Sequence, residues 1–181
     1  KSARGMLKTP SIAIAPGGGN NIKTKMPIKR WPYFRELIEK LLENTKMDII
    51  IIGAHDDEDI IDTTSLDSSR VLNLCGNLSL GGTYYTLSKC ALLVSNDSGA
   101  MHMGAAAGIP VVSIFGPTNP INLYPRTNPK SRYIYLNKPC SPCYKDGKFK
   151  EDTDHACMRD ITPEMVMYEV ADTMFNVNVQ R

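Results

Sequence analysis

No run in these 181 residues is long and apolar enough to cross a bilayer. The longest weakly charged stretch, about Ser98 to Pro125, is broken by Pro110, Pro117 and Pro120 and by several polar residues, so it does not read as a membrane span. Charge of one sign is lacking too: 21 Lys+Arg against 19 Asp+Glu leave +2, which gives no general argument for nucleic acid as a partner, so any anion site must be local. Cysteines are few and odd in number, five in all, with Cys75 and Cys90 in apolar surroundings. That usage fits a reducing compartment better than a disulfide scaffold. No basic start with an apolar stretch and a small-residue cleavage site opens the chain, so no signal peptide is read, and Lys1 in place of Met fits a fragment. Two phosphate-binding signatures are also missing: the loop "PGGGNNIKTKMPIKRWP" has neither G-x-x-x-x-G-K-[ST] nor G-x-G-x-x-G order.

What is present is an alternation. A hydrophobic content of 42% over this length suits one sizeable domain, preceded by a polar leader over residues 1–10. "SIAIAP", "MDIIIIG", "RVLNLCG", "ALLVSN" and "VVSIFG" are short apolar runs, and the stretches between them read as helical. Pro32 suits the first turn of one helix, whose Phe34, Leu37, Ile38, Leu41 and Leu42 form an apolar stripe. An acidic turn "HDDED" with a short helix is expected, and further helices through "YYTLSKC", through "AMHMGAAAG", and one opened by "DITPE", where Thr162 caps and Pro163 takes the first turn. "MDIIIIG" is apolar without alternation, as a strand covered on both faces requires. The predicted fold is therefore α/β, a doubly wound, mostly parallel sheet with helices on both faces, and its ligand belongs beyond the carboxyl ends of the strands.

Two glycine-bearing loops fall at such ends. In "SNDSGAMHMG" a helix starting near Ser98 or Gly99 would aim unpaired backbone N–H groups and the positive helix end outward, a cradle for phosphate. Gly99 removes a side chain where a diphosphate would approach, Ser98 adds a hydroxyl, and His102 follows one turn later on the same face. The plainer alternative is that Asp97 or Ser98 only caps the helix and His102 is a satisfied buried side chain. The helix start, the crevice position and the second glycine loop together favour a ligand. The run from Gly104 to Gly108 is small so that the helix packs closely. Upstream, Lys23, Lys25, Lys29 and Arg30 are a local excess of cations; Lys29, the lysine nearest the helix, is the one chosen to neutralise a leaving diphosphate. Trp31 reads as core, and Asp56, Asp57, Glu58 and Asp59 as a solvated helix start rather than acid–base carboxylates. Cys140, Cys143, His155 and Cys157 have zinc-ligand chemistry but not a standard spacing, so no metal is assigned, with zinc there as the weaker alternative.

The strings "PGGG…KRWPYFRELIEKLL", "LNLCGNLSLGGTYYTLSKCALLVSNDSG" and "NDSGAMHMGAAAGIPVVSIFGPTNP" together resemble the carboxyl-terminal domain of the bacterial lipopolysaccharide heptosyltransferases, glycosyltransferase family nine. The resemblance runs from about Ser11 to the last helix, so residues 11–181 are expected to be the nucleotide-sugar domain, the Rossmann-like donor half of a GT-B enzyme. It implies transfer of heptose from ADP-heptose to the inner core of lipopolysaccharide, with inversion and without a required metal. The missing amino-terminal domain would hold the acceptor and the general base, and the chain alone would bind nucleotide without turnover. By the same likeness Lys29 and Asp97 act in catalysis, Lys29 on the leaving group. Gly18, Gly19, Ser98, Gly99, His102, Gly116, Pro117 and Thr118 bind the donor. Gly18 and Gly19 stand where better-known members carry hydroxyl residues, and His55 and Asp56 are nearest to the acidic nucleoside contact. "CSPCY…HACM" resembles a cysteine-bearing tail of the family. The implied location is cytoplasmic, with a peripheral position at the inner membrane face. A non-catalytic nucleotide-binding module and a nucleotide-sugar epimerase are the alternatives, and fold alone does not separate them.

Overall fold

The computed structural model describes residues 10–18, 27–145, 148–149 and 155–175. Six strands build the main sheet: β1 Ser11–Ala15, β2 Asp48–Ile51, β3 Val71–Asn73, β4 Leu92–Asn96, β5 Val111–Phe115 and β6 Arg132–Tyr135. Every neighbouring pair is parallel, in the order β3-β2-β1-β4-β5-β6. The order reverses between β1 and β4, which leaves a crevice at their carboxyl ends. The five apolar runs expected as strands are all present, and "YIYL" supplies most of a sixth at the edge.

The inner strands are buried and mostly apolar because both faces are covered. Ile12, Ile14, Ile49, Ile51, Leu92, Val94, Val112 and Ile114 face one way, onto α1 (Phe34–Asn44) and α6 (Pro163–Phe175). Ala13, Ala15, Ile50, Ile52, Leu93, Val111 and Phe115 face the other, onto α2 (Leu80–Leu87) and α3 (Gly99–Ala106). The stripe on α1 buries Phe34, Leu37, Ile38 and Leu41, with Leu42 at its margin. Each fully buried side chain contributes about 1.5–3 kcal/mol. Arg70 closes the far end of α1, donating to the carbonyls of Leu42, Thr45 and Met47. Trp31 is buried against Phe34, as expected of a core residue, and its indole N–H donates to the Ile161 carbonyl at 2.8 Å.

Three helix limits differ from expectation. α1 begins at Phe34, so Pro32 lies in the turn before it. α2 begins at Leu80, capped by the Ser79 hydroxyl, and ends before Ser88; Gly81 and Gly82, poor helix formers, hide that start. The small run that closes α3 serves two needs. A side chain on Gly104 would meet Leu93 Cδ2 at 2.7 Å, so that glycine permits close packing, whereas Gly108 has open space and φ +80°, the left-handed residue that ends a helix. The short α4 (Pro120–Leu123) and α5 (Ala156–Arg159) and the antiparallel pair β7 (Tyr144–Lys145) and β8 (Lys148–Phe149) complete the described chain. Before α6, Thr162 Oγ accepts from Met165 N at 3.4 Å, with Pro163 as first helical residue, as the sequence indicates.

Candidate functional site: a cleft at the sheet's reversal point

A cavity of about 490 Å³ opens beyond the carboxyl ends of β1, β2 and β4. Its lining is of two kinds: Gly17, Gly18, Gly53, Ser98 and Gly99, which carry little or no side chain, and the apolar Ile52, Leu78, Leu80 and Met103. The glycines are there for separate reasons. A side chain on Gly17 would run into the Asp57 carboxylate at 2.3 Å, and one on Gly53 into Asp57 and the Cys75 sulfur. Gly18 has ordinary contacts at 3.4 Å or more, to Asn96 and the Lys29 carbonyl, and Gly99 has none within 4 Å, so only Gly99 faces open space. Gly19, Lys23 and Lys25 lie outside the described residues.

Ser98 is the N-cap residue of α3 by backbone geometry, yet its hydroxyl makes no cap bond. Its Oγ is buried with no hydrogen-bond partner among the described residues. The first N–H groups of α3 also lack intrahelical partners by construction. A buried hydroxyl and a helix start that both want an acceptor, on the wall of one cavity, are a matched set for an anion.

Asp97 is not a cap either. Its Oδ2 lies 2.6 Å from Lys29 Nζ and accepts the Thr118 hydroxyl at 2.8 Å, all three groups being largely out of water. Lys29 ends a 3₁₀ turn, Pro27–Lys29, just ahead of α1. The structure thus brings Lys29, Asp97, Ser98, Gly99, Gly18 and Thr118 to one region. It does not bring Gly116 there in the way expected. A side chain on Gly116 would fall 2.5 Å from Met158 Sδ and 3.0 Å from Cys157 Sγ, so this glycine admits α5 rather than a ligand. The Pro117 carbonyl is taken up by Tyr144 N at 2.9 Å, and the Gly116 carbonyl accepts the Ser141 hydroxyl. His102 is exposed, and the α3 residues that line the cavity are Gly99, Ala100 and Met103.

The acidic turn is the clearest departure. His55, Asp56, Glu58 and Asp59 are exposed, but Asp57 is buried. Its carboxylate accepts from Ala54 N at 2.9 Å and from Arg30 at 3.2 Å, and it lines the cavity. Arg30 is 27 positions upstream, beyond the reach of any local pattern. Asn96 was also missed: a buried asparagine ending β4 whose amide ties the loop after β1 to the segment carrying Lys29. The signal for it was an amide that, with Ser95 before it, closes a strand that is otherwise apolar.

The cysteine segment forms no metal centre in view: among the described residues, no group of three or more His, Cys, Asp or Glu side chains is placed to hold an ion. Burial, then the neighbouring Cys140 and Cys143, push the Cys157 thiol up to about 11. Cys75 and Cys90 are buried as expected, and burial followed by the Asp57 charge takes Cys75 to about 12. No helix among the described residues is long and apolar enough to cross a membrane.

Comparison with known proteins meets this geometry from another side. The sequence profile of glycosyltransferase family 9 (heptosyltransferase) matches residues 2–153. Lipooligosaccharide heptosyltransferase 2 of Campylobacter jejuni subsp. jejuni serotype O:2 is 30% identical over 155 residues, 82% of this chain and 47% of that protein. Lipopolysaccharide heptosyltransferase 2 of Escherichia coli K12 is 30% identical over 167 residues, 89% of this chain and 46% of that protein. The solved structure of E. coli ADP-heptose lps heptosyltransferase II matches with a TM-score of 0.71 at 26% identity, over 93% of this chain and 47% of that one. The chain spans about half the length of the curated relatives it matches.

Proposed function

The chain belongs to glycosyltransferase family 9, the heptosyltransferases, and from that membership we propose that residues 11–181 are the donor-binding half of an inverting transferase that takes heptose from ADP-heptose to the inner core of lipopolysaccharide. The observation that carries the proposal is the cleft itself, which is lined by a helix start with the unpartnered Ser98 hydroxyl and by apolar side chains. A nucleoside diphosphate has the same division, a charged diphosphate and a flat apolar base.

In this reading the diphosphate lies over Gly18, Gly99 and the first turn of α3, and the base lies toward Leu78, Leu80 and Met103. When the bond from the sugar's anomeric carbon to the diphosphate oxygen breaks, negative charge grows on the departing ADP. Lys29 is the cation beside that position, and fixed donors that meet developing charge need no reorganisation at the moment of reaction. Asp97 and Thr118 hold the ammonium in place rather than touch the reacting carbon. His102 is exposed on α3 and is not among the residues that line the cavity, so no contact with the donor is assigned to it. The acceptor, its contacts and the general base are assigned to the half of the enzyme that these relatives have in addition. The enzyme works at the cytoplasmic face of the inner membrane.

Calorimetric titration of this chain with ADP, UDP and GDP tests the reading. Selective binding of ADP, weakened about tenfold in Lys29→Ala, is the expected result, since a hydrogen bond to a charged group accounts for that much. UDP bound in preference to ADP would retain the transferase architecture and remove the heptose assignment. Binding of none of the three would overturn the donor role. Glycosyl transfer by this chain alone would refute the placement of the general base.

A further inference from the structure

Asn96 is completely buried at the end of β4 and uses both ends of its amide. The nitrogen donates to the carbonyls of Pro16 at 2.8 Å and Gly17 at 3.1 Å, and the oxygen accepts from Trp31 N at 3.0 Å. The partners dictate that orientation, because two carbonyls need a donor and one N–H needs an acceptor. Neither partner belongs to the sheet. Pro16 and Gly17 open the loop that lines the cavity, and Trp31 follows Lys29 and Arg30. Asp57 braces the same two segments from the other side, lying against Gly17 while it pairs with Arg30.

Residues 96 and 97 therefore hold the Lys29 segment at two points. Asn96 fixes its backbone at Trp31, and Asp97 fixes the ammonium of Lys29 itself. We infer that Asn96 is a positioning residue for diphosphate recognition: one amide sets the glycine loop and the lysine segment in a common register, so that both address the same phosphates. It does not line the cavity. This asparagine joins the loop that lines the cavity to the backbone that carries Lys29, Arg30 and the core residue Trp31. The inference rests on the donor reading above.

The test compares ADP with adenosine by calorimetry on this chain, for wild type, Asn96→Asp, Lys29→Ala and the double variant. Asn96→Asp keeps the shape and replaces the donor with an oxygen that faces two carbonyl oxygens. ADP affinity is expected to fall about tenfold in Asn96→Asp, with adenosine affinity within about twofold of wild type. The double variant is expected to lose less than the product of the two single losses, because both act on one contact. Equal losses on adenosine and ADP, or losses that simply multiply, would overturn the positioning role. A wild type that prefers ADP to adenosine, with Asn96→Asp keeping the full preference, overturns this inference alone; a wild type without that preference overturns the donor reading and this with it. Hydrogen exchange on the unaltered chain needs no variant to fold. The Trp31 amide is expected to exchange as slowly as the sheet amides and to slow further with ADP but not with adenosine, and rapid exchange there sinks the proposal.

Discussion

Gly99 and Gly116 follow adjacent parallel strands of one sheet, and both look like ligand-binding glycines on paper. Their surroundings are opposite. Around Gly99 nothing lies within 4 Å of where a side chain would sit, while Gly116 is closed over by Met158 and Cys157. The first loop repeats the contrast within two residues, Gly17 pressed against Asp57 and Gly18 facing the cleft. A glycine at a strand's carboxyl end therefore answers one of two needs: room for a ligand, or room for another part of the chain. Only the first marks a site, and the difference is in what comes back from far along the sequence to fill the gap.

Substitution separates the two cases. Gly116→Ala should show the largest effect, a loss of about 2 kcal/mol from overpacking and a melting temperature lower by roughly 4–8 °C for a chain of this size. ADP affinity of the folded fraction should remain at the wild-type level. Circular dichroism melts and calorimetry check both halves, and a Gly116→Ala variant that melts with the wild type would erase the contrast. Gly99→Ala should do the reverse. Alanine suits the first turn of a helix better than glycine, so stability holds or rises, while a methyl group where phosphate approaches the backbone weakens ADP by roughly tenfold.

Thiol labelling reads the closed side directly. At neutral pH Cys157, raised to about 11 by its burial and its neighbouring thiols, should stay unmodified by a charged thiol reagent, as should Cys75 beside Asp57. Cys140, which is partly exposed, should react first. In Gly116→Ala the order is expected to hold but the gap to narrow, as α5 is displaced and Cys157 gains water. Mass spectrometry of the labelled peptides decides it.

Much of this was legible in order but not in depth. Apolar runs without alternation disclosed the parallel sheet, and the stripe on α1 and the Thr162-Pro163 start of α6 were readable because caps and periodicity are local. The helix start at Gly99 was readable for the same reason. What stayed hidden depends on pairs distant in sequence. Asp57 looked solvated because Arg30, its partner, lies in another loop. Asn96 looked like one more strand-end residue because its carbonyl partners are 79 and 80 positions away. Gly116 was misread because Met158 and Cys157 return from beyond β6. Local chemistry reveals which atoms lack partners, and only the fold reveals which of those lacks the protein itself supplies.

The smallest expected effect comes from the surface tie between α1 and α6. Lys40 on α1 and Glu164 at the start of α6 lie 2.9 Å apart, both accessible to solvent. The hydrogen bond from Lys40, first among the causes, holds the Glu164 carboxyl at about 2, below its ordinary 4.5. A carboxyl depressed in the folded state stabilises above its ordinary value, and that stabilisation disappears as pH falls from about 4.5 toward 2. Glu164→Gln should therefore melt lower than wild type at pH 7 by only about one degree, because exposed pairs are screened by water and salt. The two melting curves should converge as the pH is lowered through that window, and they should converge at pH 7 when salt is raised. A difference as large as that of Gly116→Ala would mean that α6 is pinned from its surface, and that the packing of Cys157 and Met158 on Gly116 follows from the pin rather than from the glycine.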